Sequence, residues 1–431
     1  MLSRKSFLSI VVSVLTATAV NHHFEKGVAA QEPITIEYWH INSESFGGPT
    51  VKELVAEFES QNPGIKVNEQ FQPNSYTGLL QNVQTRLAAQ NPPDVAQIGY
   101  LFVDYVSENF PIKPINELVE EYDGQAMLDA VEENVINLSS RNGSLIGMSY
   151  SLSNTITYYN ADMFEQAGLD PDSPPETWDE WYEAALIIKE ETGKPAIYVQ
   201  ILDDNWTTQA MMESNGGSMI ACENGKVRAT FDRSENIEAL QFWADMIEEG
   251  LALNVLSTQG EQAFLAGEVA TYMTTIAKRN NLETNSSFDL RGTTFPAFTG
   301  KETRLPGGGN TLVVFSQDQE KQEAAFRFIE FLHSAESFAT WTRGTGYVPL
   351  NRDTPEVLGD FLTENPIQEV AIRQMPNVVT WITFPGADGL AAQQSLFAAS
   401  QQAFLGQMSA EAALQASAAE VNSLLANESC E

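Results

Sequence analysis

A regular alternation of strand patterns and helix patterns is the feature that most restricts how this chain can fold. Near the start, three strand patterns are separated by two amphipathic helix patterns, and an Asn-Pro sequence ends each helix. The strands are Ile34–Trp39, Ile65–Phe71 and Asp94–Ile98, and the helices are Val51–Gln61 and Leu79–Gln90. Helical crossovers are the usual connection between parallel strands. The repeat therefore predicts α/β domains with largely parallel sheets covered by helices.

The rest of the chain continues this alternation. Further elements are the strand Thr155–Asn160 and the helices Ala161–Ala167, Trp178–Thr192, Ser234–Glu249, Gln259–Ala266, Gln322–His333 and Ala410–Asn427. Thr177, with Glu180 three residues later, has the spacing of a capping box, and Ser409 stands where it can cap the last helix. The pattern predicts an α/β fold throughout.

The length of the chain predicts two domains, because 431 residues are more than one hydrophobic core usually organises. No low-complexity linker separates two halves, which favours several chain crossings and a hinge. We predict a first lobe over 31–147 plus 305–335 and a second over 148–304 plus 336–431.

The N-terminal residues have the layout of a secretory signal. Arg4 and Lys5 precede an apolar run over Phe7–Val20, and a polar stretch then ends in Val28-Ala29-Ala30. The run is shorter than the roughly 20 residues that span a bilayer. We expect residues 1–30 to be a signal peptide cleaved near Ala30. Because no cysteine follows the run for lipid attachment, we expect a freely soluble periplasmic or extracellular protein.

Charge and cysteine content narrow the possible partners. The chain has 23 Lys and Arg against 58 Asp and Glu, a formal net charge of −35, which disfavours nucleic acid and anionic membranes. Cys222 and Cys430 are compatible with one disulfide in an exported chain, but their spacing does not decide it. His40 and His333 have no ligand-spaced neighbour, so we expect no metal and no cofactor.

A series of short motifs resembles one family over nearly the whole chain after residue 30. The motifs are Ile36-Glu-Tyr-Trp-His40, Phe58-Glu-Ser-Gln-Asn-Pro-Gly-Ile-Lys-Val67, Asn91-Pro-Pro-Asp-Val95, Tyr158-Tyr-Asn160, Phe164-Glu-Gln-Ala-Gly-Leu169, Pro175-Glu-Thr-Trp178-Asp-Glu-Trp181, Gly307-Gly-Gly-Asn310 and Gly344-Thr-Gly-Tyr347-Val-Pro349. In this order they are similar to the extracellular solute-binding proteins of ABC importers, which include the maltose- and glycerol-3-phosphate-binding proteins. The resemblance implies a periplasmic-binding-protein-like fold, with two doubly wound α/β lobes joined by a multi-crossing hinge.

The resemblance also implies ligand-binding positions. These are Tyr76, Ser153, Trp206, Gly307, Gly308 and Tyr347. Two positions depart from the glycerol-phosphate binders: Tyr100 stands where they have a glutamate, and Trp381–Gly389 lacks their phosphate-holding arginine. Loss of that arginine disfavours a phosphorylated ligand. Lys278 and Arg279 are the nearby cations that keep a phosphate monoester or phosphodiester open as an alternative ligand.

A sugar or polyol needs aromatic rings for its C–H faces and fixed polar groups for its hydroxyls. Aromatic residues at strand ends or in loops are therefore site candidates, and they are Trp39, Tyr76, Tyr100, Trp206, Tyr347 and Trp381. Trp39 could instead close the first lobe. Trp178, Trp181 and Trp243 have helical spacing and are expected to pack in cores. Asp203, Asp204 and Asn205 flank Trp206, although an acid-rich chain places acids in many loops.

The run Gly307-Gly308-Gly309 is not a nucleotide-binding fingerprint, because a strand pattern over Thr311–Phe315 follows it where a helix is required. We interpret it as a turn that needs positive φ where the chain crosses between lobes. At such a place the run could act as a hinge for ligand-dependent closure.

Together these features predict a substrate-binding protein that captures a small carbohydrate or glycerol derivative and delivers it to an ABC permease with its ATPase. The alternatives are a secreted glycosidase, which would need paired carboxylates, and a free lectin. No G-x-S-x-G elbow supports a hydrolase, so we expect no enzymatic activity. We expect a monomer, and the sequence leaves the ligand and the permease unidentified.

Overall fold

The computed structural model describes residues 32–44 and 46–430. The predicted signal peptide over 1–30 lies outside these described residues. Within them, no helix is both long enough and apolar enough to cross a membrane.

Strands and helices alternate along the chain, as the sequence pattern predicted. The first part contains β1 (Ile34–His40), α1 (Gly48–Gln61), β2 (Ile65–Phe71), α2 (Ser75–Ala88), β3 (Val95–Gly99), α3 (Val103–Asn109), α4 (Ile115–Tyr122), α5 (Gln125–Asp129), α6 (Glu133–Asn137), β4 (Ser140–Arg141), β5 (Ser144–Leu145), β6 (Met148–Ser153) and β7 (Thr155–Asn160). The middle part contains α7 (Ala161–Gln166), α8 (Trp178–Thr192), α9 (Trp206–Ser214), β8 (Ile220–Glu223), β9 (Lys226–Ala229), α10 (Ser234–Glu248), α11 (Ser257–Leu265), β10 (Thr271–Thr275), α12 (Arg279–Asn285), β11 (Leu290–Thr294) and β12 (Leu305–Pro306). The last part contains β13 (Gly308–Val314), α13 (Gln319–Leu332), α14 (Ala335–Thr345), α15 (Thr354–Leu358), α16 (Asp360–Glu364), α17 (Pro366–Arg373), β14 (Val378–Val379), α18 (Gly389–Phe404) and α19 (Ala410–Leu424).

Local sequence signals explain several element ends. The Thr177 hydroxyl accepts a hydrogen bond from the Glu180 amide at 3.3 Å, and the Glu180 carboxylate accepts one from the Thr177 amide at 3.0 Å. This confirms the predicted capping box of α8. The Ser409 hydroxyl likewise caps α19 by accepting from the amide of Ala412 at 3.2 Å. Gly250 follows the C-terminal end of α10 and has a φ of +65°, a backbone conformation that glycine adopts readily at helix ends.

The first sheet has the strand order β2-β1-β3-β13-β6. β1, β2 and β3 are parallel, which confirms the strand–helix–strand prediction for this region. β13 is antiparallel to both β3 and β6, so β6 runs in the same direction as β1, β2 and β3, and the sheet is largely parallel, as expected, with β13 reversed. The chain enters β13 from the second lobe, at the edge of the sheet where β3 ends. Asn310, near the start of β13, pairs with Gly99, the last residue of β3, so the two strands run in opposite directions.

The second sheet has the order β10-β7-β11, with both pairs antiparallel. A further extended segment runs alongside β10, where Val199 forms a parallel bridge to Met273 and the amide of Met273 donates to the carbonyl of Tyr198 at 2.8 Å. This sheet is therefore mixed, and a sequence pattern that shows only strand and helix order could not predict that.

Separate hydrophobic cores lie around the two sheets. The first core packs residues of β1, β3, α1 and α13, such as Ile36, Phe58 and Phe328. In the second lobe Trp178, Trp181 and Trp243 are completely buried, and the rings of Trp178 and Trp243 lie 5.8 Å apart. These three tryptophans therefore pack in a core, as predicted, and the α/β fold has two lobes.

The exact lobe boundaries stay a prediction, and the packing favours two changes to them. β6 pairs with β13 in the first sheet, and Trp341 and Tyr347 pack in the first core. We therefore propose that β6 and α14, which the sequence analysis assigned to the second lobe, belong to the first.

The lobes are connected by chain segments that lie side by side. Asn154 joins β6 to β7, and Gly307 joins β12 to β13. Gly308 pairs with Ser153, so these two crossings are neighbours in the first sheet. β12 also pairs in parallel with β14. The chain thus passes between lobes several times, which fits a hinge better than a tether.

Cys222 and Cys430 form a disulfide bond, with their Cα atoms 5.7 Å apart, which answers a question that the sequence left open. The bond ties the end of the chain to the β8–β9 hairpin, where the amide of Val227 also donates to the carbonyl of Glu428 at 3.2 Å. Such a cross-link typically contributes about 2–4 kcal/mol to the free energy of unfolding.

Candidate functional site

A tyrosine cluster, defined as Tyr76, Tyr100, Tyr347 and Asn310, lies at the end of β3 in the first lobe. The side-chain amide of Asn310 donates a hydrogen bond to the Tyr76 hydroxyl at 2.9 Å. The hydroxyls of Tyr76 and Tyr347 are close enough for each to shift the pKa of the other. A Cβ on Gly99 would lie 2.8 Å from Cγ of Tyr76, so the close packing of the ring on β3 requires glycine.

The hydroxyls of this cluster are neutral at ordinary pH. Burial raises the pKa of Tyr76 to about 12, because the charged phenolate would lose its hydration. Burial also raises the pKa of Tyr100 and of Tyr347 above the usual value. Each hydroxyl can therefore both donate and accept a hydrogen bond, as recognition of another hydroxyl requires.

Tyr347 is held in place by other rings of the first lobe. Its ring stacks on that of Trp341, with the centroids 5.9 Å apart and the planes parallel, and the ring of Phe46 meets it edge-on at 6.2 Å. Tyr347 is only 5% exposed. The position of its hydroxyl is therefore fixed by packing on two sides.

The second group of site residues is a tryptophan pair, Trp206 and Trp381, in the second lobe. Their ring centroids lie 6.3 Å apart at an interplanar angle of 49°. The Trp206 indole donates to the carbonyl of Pro306 at 2.6 Å, and the Trp381 indole donates to the side-chain oxygen of Asn205 at 3.3 Å. Both ring orientations are therefore set by hydrogen bonds to neighbouring segments.

The loop before α9 supports the tryptophan pair. The carboxylate of Asp204 accepts a hydrogen bond from the amide of Trp206 at 2.9 Å. Burial raises the pKa of Asp204 to about 6. The neighbouring Asp203 instead accepts hydrogen bonds from the amide and hydroxyl of Ser257 at the start of α11. Of the two carboxylates, only Asp204 therefore contacts the tryptophan pair.

Gly308 is the point where the two groups meet. A Cβ at this position would lie 2.8 Å from Oγ of Ser153 and 3.1 Å from the ring of Trp206. Two residues further along β13, Asn310 binds Tyr76. The structure therefore brings together Tyr76, Tyr347, Ser153, Gly308, Trp206 and Trp381, with Tyr100 beside the other tyrosines.

The glycine run is not a turn, which corrects our interpretation of it. Gly308 and Gly309 belong to β13 and pair with Ser153 and Leu152. Of the three glycines, only Gly309 has positive φ, at +125°, and a Cβ there would lie 1.9 Å from the carbonyl oxygen of Ser151. Gly307 faces Leu152, whose Cδ1 a Cβ would approach to 2.9 Å. Because these glycines lack a Cβ, β13 can pack closely against β6 where the chain crosses between the lobes.

Three buried polar atoms of the tyrosine cluster and of the loop before α9 lack hydrogen-bond partners among the described residues. They are Oη of Tyr100, Oδ1 of Asn310 and Nδ2 of Asn205, in residues that are 1%, 1% and 2% exposed. An unpaired buried polar atom is costly, and a bound polar molecule can supply the missing partner. Two of these atoms belong to the tyrosine cluster, and the third lies beside the tryptophan pair.

Trp39 lies apart from this site. Its indole donates to the carboxylate of Glu37 at 2.9 Å, and the guanidinium of Arg86 lies 5.3 Å from its ring centroid. The ring is buried in the first core. These contacts favour the alternative that Trp39 closes the lobe, and a ligand contact by Trp39 stays a prediction without support from them.

Lys278 and Arg279, the two cations that could bind a phosphate ligand, are each paired with a carboxylate. Nζ of Lys278 lies 2.6 Å from the carboxylate of Glu261. The guanidinium of Arg279 is buried and donates to Glu283 at 3.0 Å and to the side chain of Asn365 at 2.6 Å. Neither is free to replace the missing arginine.

Two contacts outside the aromatic groups join the lobes, and we call them the lobe latch. The Asp104 carboxylate on α3 accepts hydrogen bonds from Arg141 at 2.7 Å and from the hydroxyl of Thr383 in the other lobe. One turn later, the Glu108 carboxylate accepts from the amide of Gly386 at 3.2 Å. Burial raises the pKa of Glu108. The latch clamps α3, which follows Tyr100, to the loop that carries Trp381.

Sequence reasoning missed part of this arrangement. Asn310 closes the Gly-Gly-Gly-Asn motif and Asn205 precedes Trp206, so their position was a usable signal for both. Asp104 and Thr383 are 279 residues apart, and no local pattern marks either of them. No cluster of three or more metal-binding side chains occurs among residues 32–44 and 46–430.

Comparison with known proteins agrees with this geometry. The family model of the bacterial extracellular solute-binding proteins matches residues 43–337. The sn-glycerol-3-phosphate-binding periplasmic protein UgpB of Escherichia coli is 24% identical over 367 residues, which cover 81% of this chain and 82% of that protein.

Solved structures of binding proteins share the fold. The cyclic alpha-maltosyl-1,6-maltose binding protein of Arthrobacter globiformis superposes with a TM-score of 0.80 at 21% identity, covering 92% of this chain and 100% of the other. UgpB of Mycobacterium tuberculosis, in complex with glycerophosphocholine, gives 0.79 at 20% identity, covering 92% and 99%. The chain belongs to the bacterial extracellular solute-binding protein family, and it is a substrate-binding protein of an ABC importer.

Proposed function

We propose that this protein captures a neutral, hydroxyl-rich solute, a small carbohydrate or a glycerol derivative, between its lobes and delivers it to an ABC permease. The observation that carries the proposal is the meeting of the tyrosine cluster and the tryptophan pair at Gly308. Rings from one lobe and neutral hydroxyls from the other suit a molecule with C–H faces and hydroxyl groups. The binding residues we propose are Tyr76, Tyr100, Ser153, Trp206, Gly307, Gly308, Tyr347 and Trp381.

The charges around the site favour a neutral ligand over a phosphate ester. Lys278 and Arg279 are held by carboxylates. Asp204 adds a carboxylate beside Trp206. A phosphate needs cationic donors to replace its hydration. Relatives named for glycerol 3-phosphate and for cyclic alpha-maltosyl-1,6-maltose both occur, so our proposal of a neutral ligand rests on the residues of this chain.

We further propose that the protein has no enzymatic activity, works as a monomer and is exported after cleavage near Ala30. The binding role of the family supports the first point. The basic and apolar pattern of residues 4–20 supports export.

A thermal-shift screen with sugars, polyols and their phosphates tests the proposal. A ligand present at 100 times its Kd should stabilise the protein by about 2.7 kcal/mol, which is easily measured. Stabilisation by neutral sugars or polyols would support it. Stabilisation by phosphate esters alone would contradict it, and turnover of an oligosaccharide would contradict the absence of enzymatic activity.

A further inference from the structure

Two carboxylates from opposite lobes lie against one residue of the lobe latch. Glu108, on α3 of the first lobe, accepts a hydrogen bond from the amide of Gly386 at 3.2 Å. Glu428, near the end of the chain in the second lobe, lies so close that a Cβ on Gly386 would be 2.2 Å from its Oε1. Because Gly386 has no side chain, both acids can approach it. Two like charges are therefore brought together across the boundary between the lobes.

The position of Glu428 is set by the end of the chain. The disulfide between Cys222 and Cys430 ties this end to the β8–β9 hairpin. The carbonyl of Glu428 also accepts a hydrogen bond from the amide of Val227, at the start of β9, at 3.2 Å. The backbone of Glu428 is therefore held to the second lobe, and its carboxylate moves with that lobe when the lobes separate.

No cation neutralises this pair of acids. Among the described residues, neither Glu108 nor Glu428 forms an ion pair. Arg141 is paired with Asp104, one turn before Glu108 on α3, at 2.7 Å. Burial raises the pKa of Glu108 most, and the negative charges of Asp104 and Glu428 raise it further. Glu108 thus faces other acids in the latched arrangement.

The other charged groups on the surrounding elements do not change this balance. Nζ of Lys226 on β9 donates to the carbonyl of Asn427 at 3.2 Å. Arg304 is paired with Glu213 at 3.3 Å. Asp388, in the loop between β14 and α18, is exposed and adds a further negative charge. The surroundings of the two acids are therefore negative on both sides of the latch.

Protonation of Glu108 removes the repulsion and keeps the hydrogen bond. A protonated carboxyl group retains a carbonyl oxygen that can accept from the Gly386 amide. In the latched arrangement the pKa of Glu108 is above its ordinary value of 4.5, because the effect of burial exceeds that of the hydrogen bond from Gly386, which lowers it. When the lobes separate, Glu108 returns to water and leaves Glu428, so its pKa should fall toward that value. The latched lobes therefore bind the proton more tightly, and a fall in pH favours them.

We propose that Glu108 and Glu428 form a pH-dependent switch on lobe closure. While both are charged they favour open lobes, and when one of them takes up a proton the lobes latch more readily. The inference rests on the proposed function in that the lobes close on a ligand. It adds that acidic surroundings shift the protein toward the closed arrangement, with or without a ligand.

The distance between the lobes of the ligand-free protein tests the switch. Spin labels at the exposed positions Glu120 on α4 and Glu238 on α10 of the full chain would report it by electron-spin resonance. The population with the short, latched distance should be at least about 3-fold larger at about pH 5 than at about pH 7.5. Glu108→Gln and Glu428→Gln each mimic a protonated acid, so each should show the larger population already at the higher pH.

Asp204, whose pKa is about 6, titrates in the same range. Its contribution is the same in the wild type and in Glu108→Gln, so the difference between these two proteins isolates the latch. Glu53→Gln is the matched control, because it removes the same charge from an exposed position on α1 and should behave like the wild type.

Two results would overturn the switch and leave the proposed function standing. One is a short-distance population that does not grow as pH falls. The other is a population in Glu108→Gln at about pH 7.5 that is no larger than that of the wild type. If no solute of the thermal-shift screen bound, the proposed function would be overturned instead, and the distances in the ligand-free protein would still decide the switch.

Discussion

The tyrosine cluster and the tryptophan pair face the same site, but they are built differently. In the tyrosine cluster, Asn310 donates a hydrogen bond to the Tyr76 hydroxyl, and the Tyr347 hydroxyl lies close to that of Tyr76. In the tryptophan pair, Trp206 is anchored on the backbone carbonyl of Pro306, at a crossing between the lobes, and Trp381 on Asn205. The first group therefore supplies hydroxyls, and the second supplies ring faces tied to the hinge.

Because the two groups are built differently, we expect substitutions and changes of pH to affect them differently. Changes at the tryptophan pair should affect both ligand contact and lobe closure, because Trp206 touches Gly308. Changes at a tyrosine hydroxyl should affect only hydrogen bonding. The groups should also differ in their response to pH, since a carboxylate lies beside the tryptophans and neutral phenols form the other group.

The largest effect is expected from Gly308→Val, because its side chain would enter the space between Ser153 and Trp206. We expect ligand affinity to fall at least about 100-fold, about 2.7 kcal/mol, with loss of ligand-induced compaction in small-angle scattering. Gly64→Val is the control, since no atom lies within 4 Å of a Cβ at Gly64. Unchanged compaction in Gly308→Val would refute the assignment of this crossing to closure.

Trp206→Ala should weaken binding by about 1–3 kcal/mol through lost stacking area, measured by calorimetry. Trp39→Phe makes the comparison sharper. Because Trp39 is enclosed by Glu37 and Arg86 away from the site, its replacement should leave affinity unchanged. Full affinity in Trp206→Ala would remove Trp206 from the site, and a loss in Trp39→Phe would restore Trp39 to it.

Tyr76→Phe should have a smaller effect on binding, about 0.5–1.5 kcal/mol, because it removes one hydroxyl and keeps the ring. It also leaves the Asn310 amide without its partner, so the free energy of unfolding should fall as well. Isothermal titration and urea unfolding measure the two quantities separately. If Tyr76→Phe weakened ligand binding as much as Trp206→Ala does, the proposed difference between the tyrosine cluster and the tryptophan pair would be wrong.

The smallest expected effect concerns pH. The pKa of Asp204 is about 6 in the folded protein against an ordinary 3.8, so the folded state holds the proton more tightly than the unfolded state. The contribution of Asp204 to stability is therefore fully present below about pH 4 and declines as pH rises to about 6.

Asp204→Asn keeps an oxygen that can accept from the Trp206 amide and removes the charge. As pH rises from about 4 to 6, the melting temperature of this variant should increase relative to that of the wild type. Above about pH 6 the difference between the two melting temperatures should stay constant. A difference that does not change with pH would contradict the burial of this carboxylate. Tyr76→Phe should show no such pH dependence in this range, because the pKa of Tyr76 is about 12.

The sequence predicted the parts of this fold that local physics determines. Helix α8 begins at Trp178 because Thr177 and Glu180 satisfy its first backbone amides, and the strand–helix–strand pattern correctly predicted β1, β2 and β3 as parallel neighbours. Family motifs pointed to Tyr76, Trp206 and Tyr347, which the structure places around one site, while their contact with a ligand stays a proposal.

The remaining features depend on contacts between distant segments. The direction of β13 depends on where the chain re-enters the first lobe, and the lobe latch joins residues 279 positions apart. The position of Trp39 also could not be predicted from local sequence, because a residue at the end of a strand can lie on either face of the sheet. The neighbours Glu37 and Arg86 that enclose it belong to β1 and α2, and their pairing is set by tertiary packing.

The central claim is that the two lobes close over one ligand, and the distance between them tests it most directly. Spin labels at the exposed positions Glu120 on α4 and Glu238 on α10 would report that distance by electron-spin resonance in the cysteine-substituted full chain. Addition of the solute found in the thermal-shift screen should narrow the distances to one short value, that of the latched lobes. An unchanged distribution at saturating solute would contradict the account.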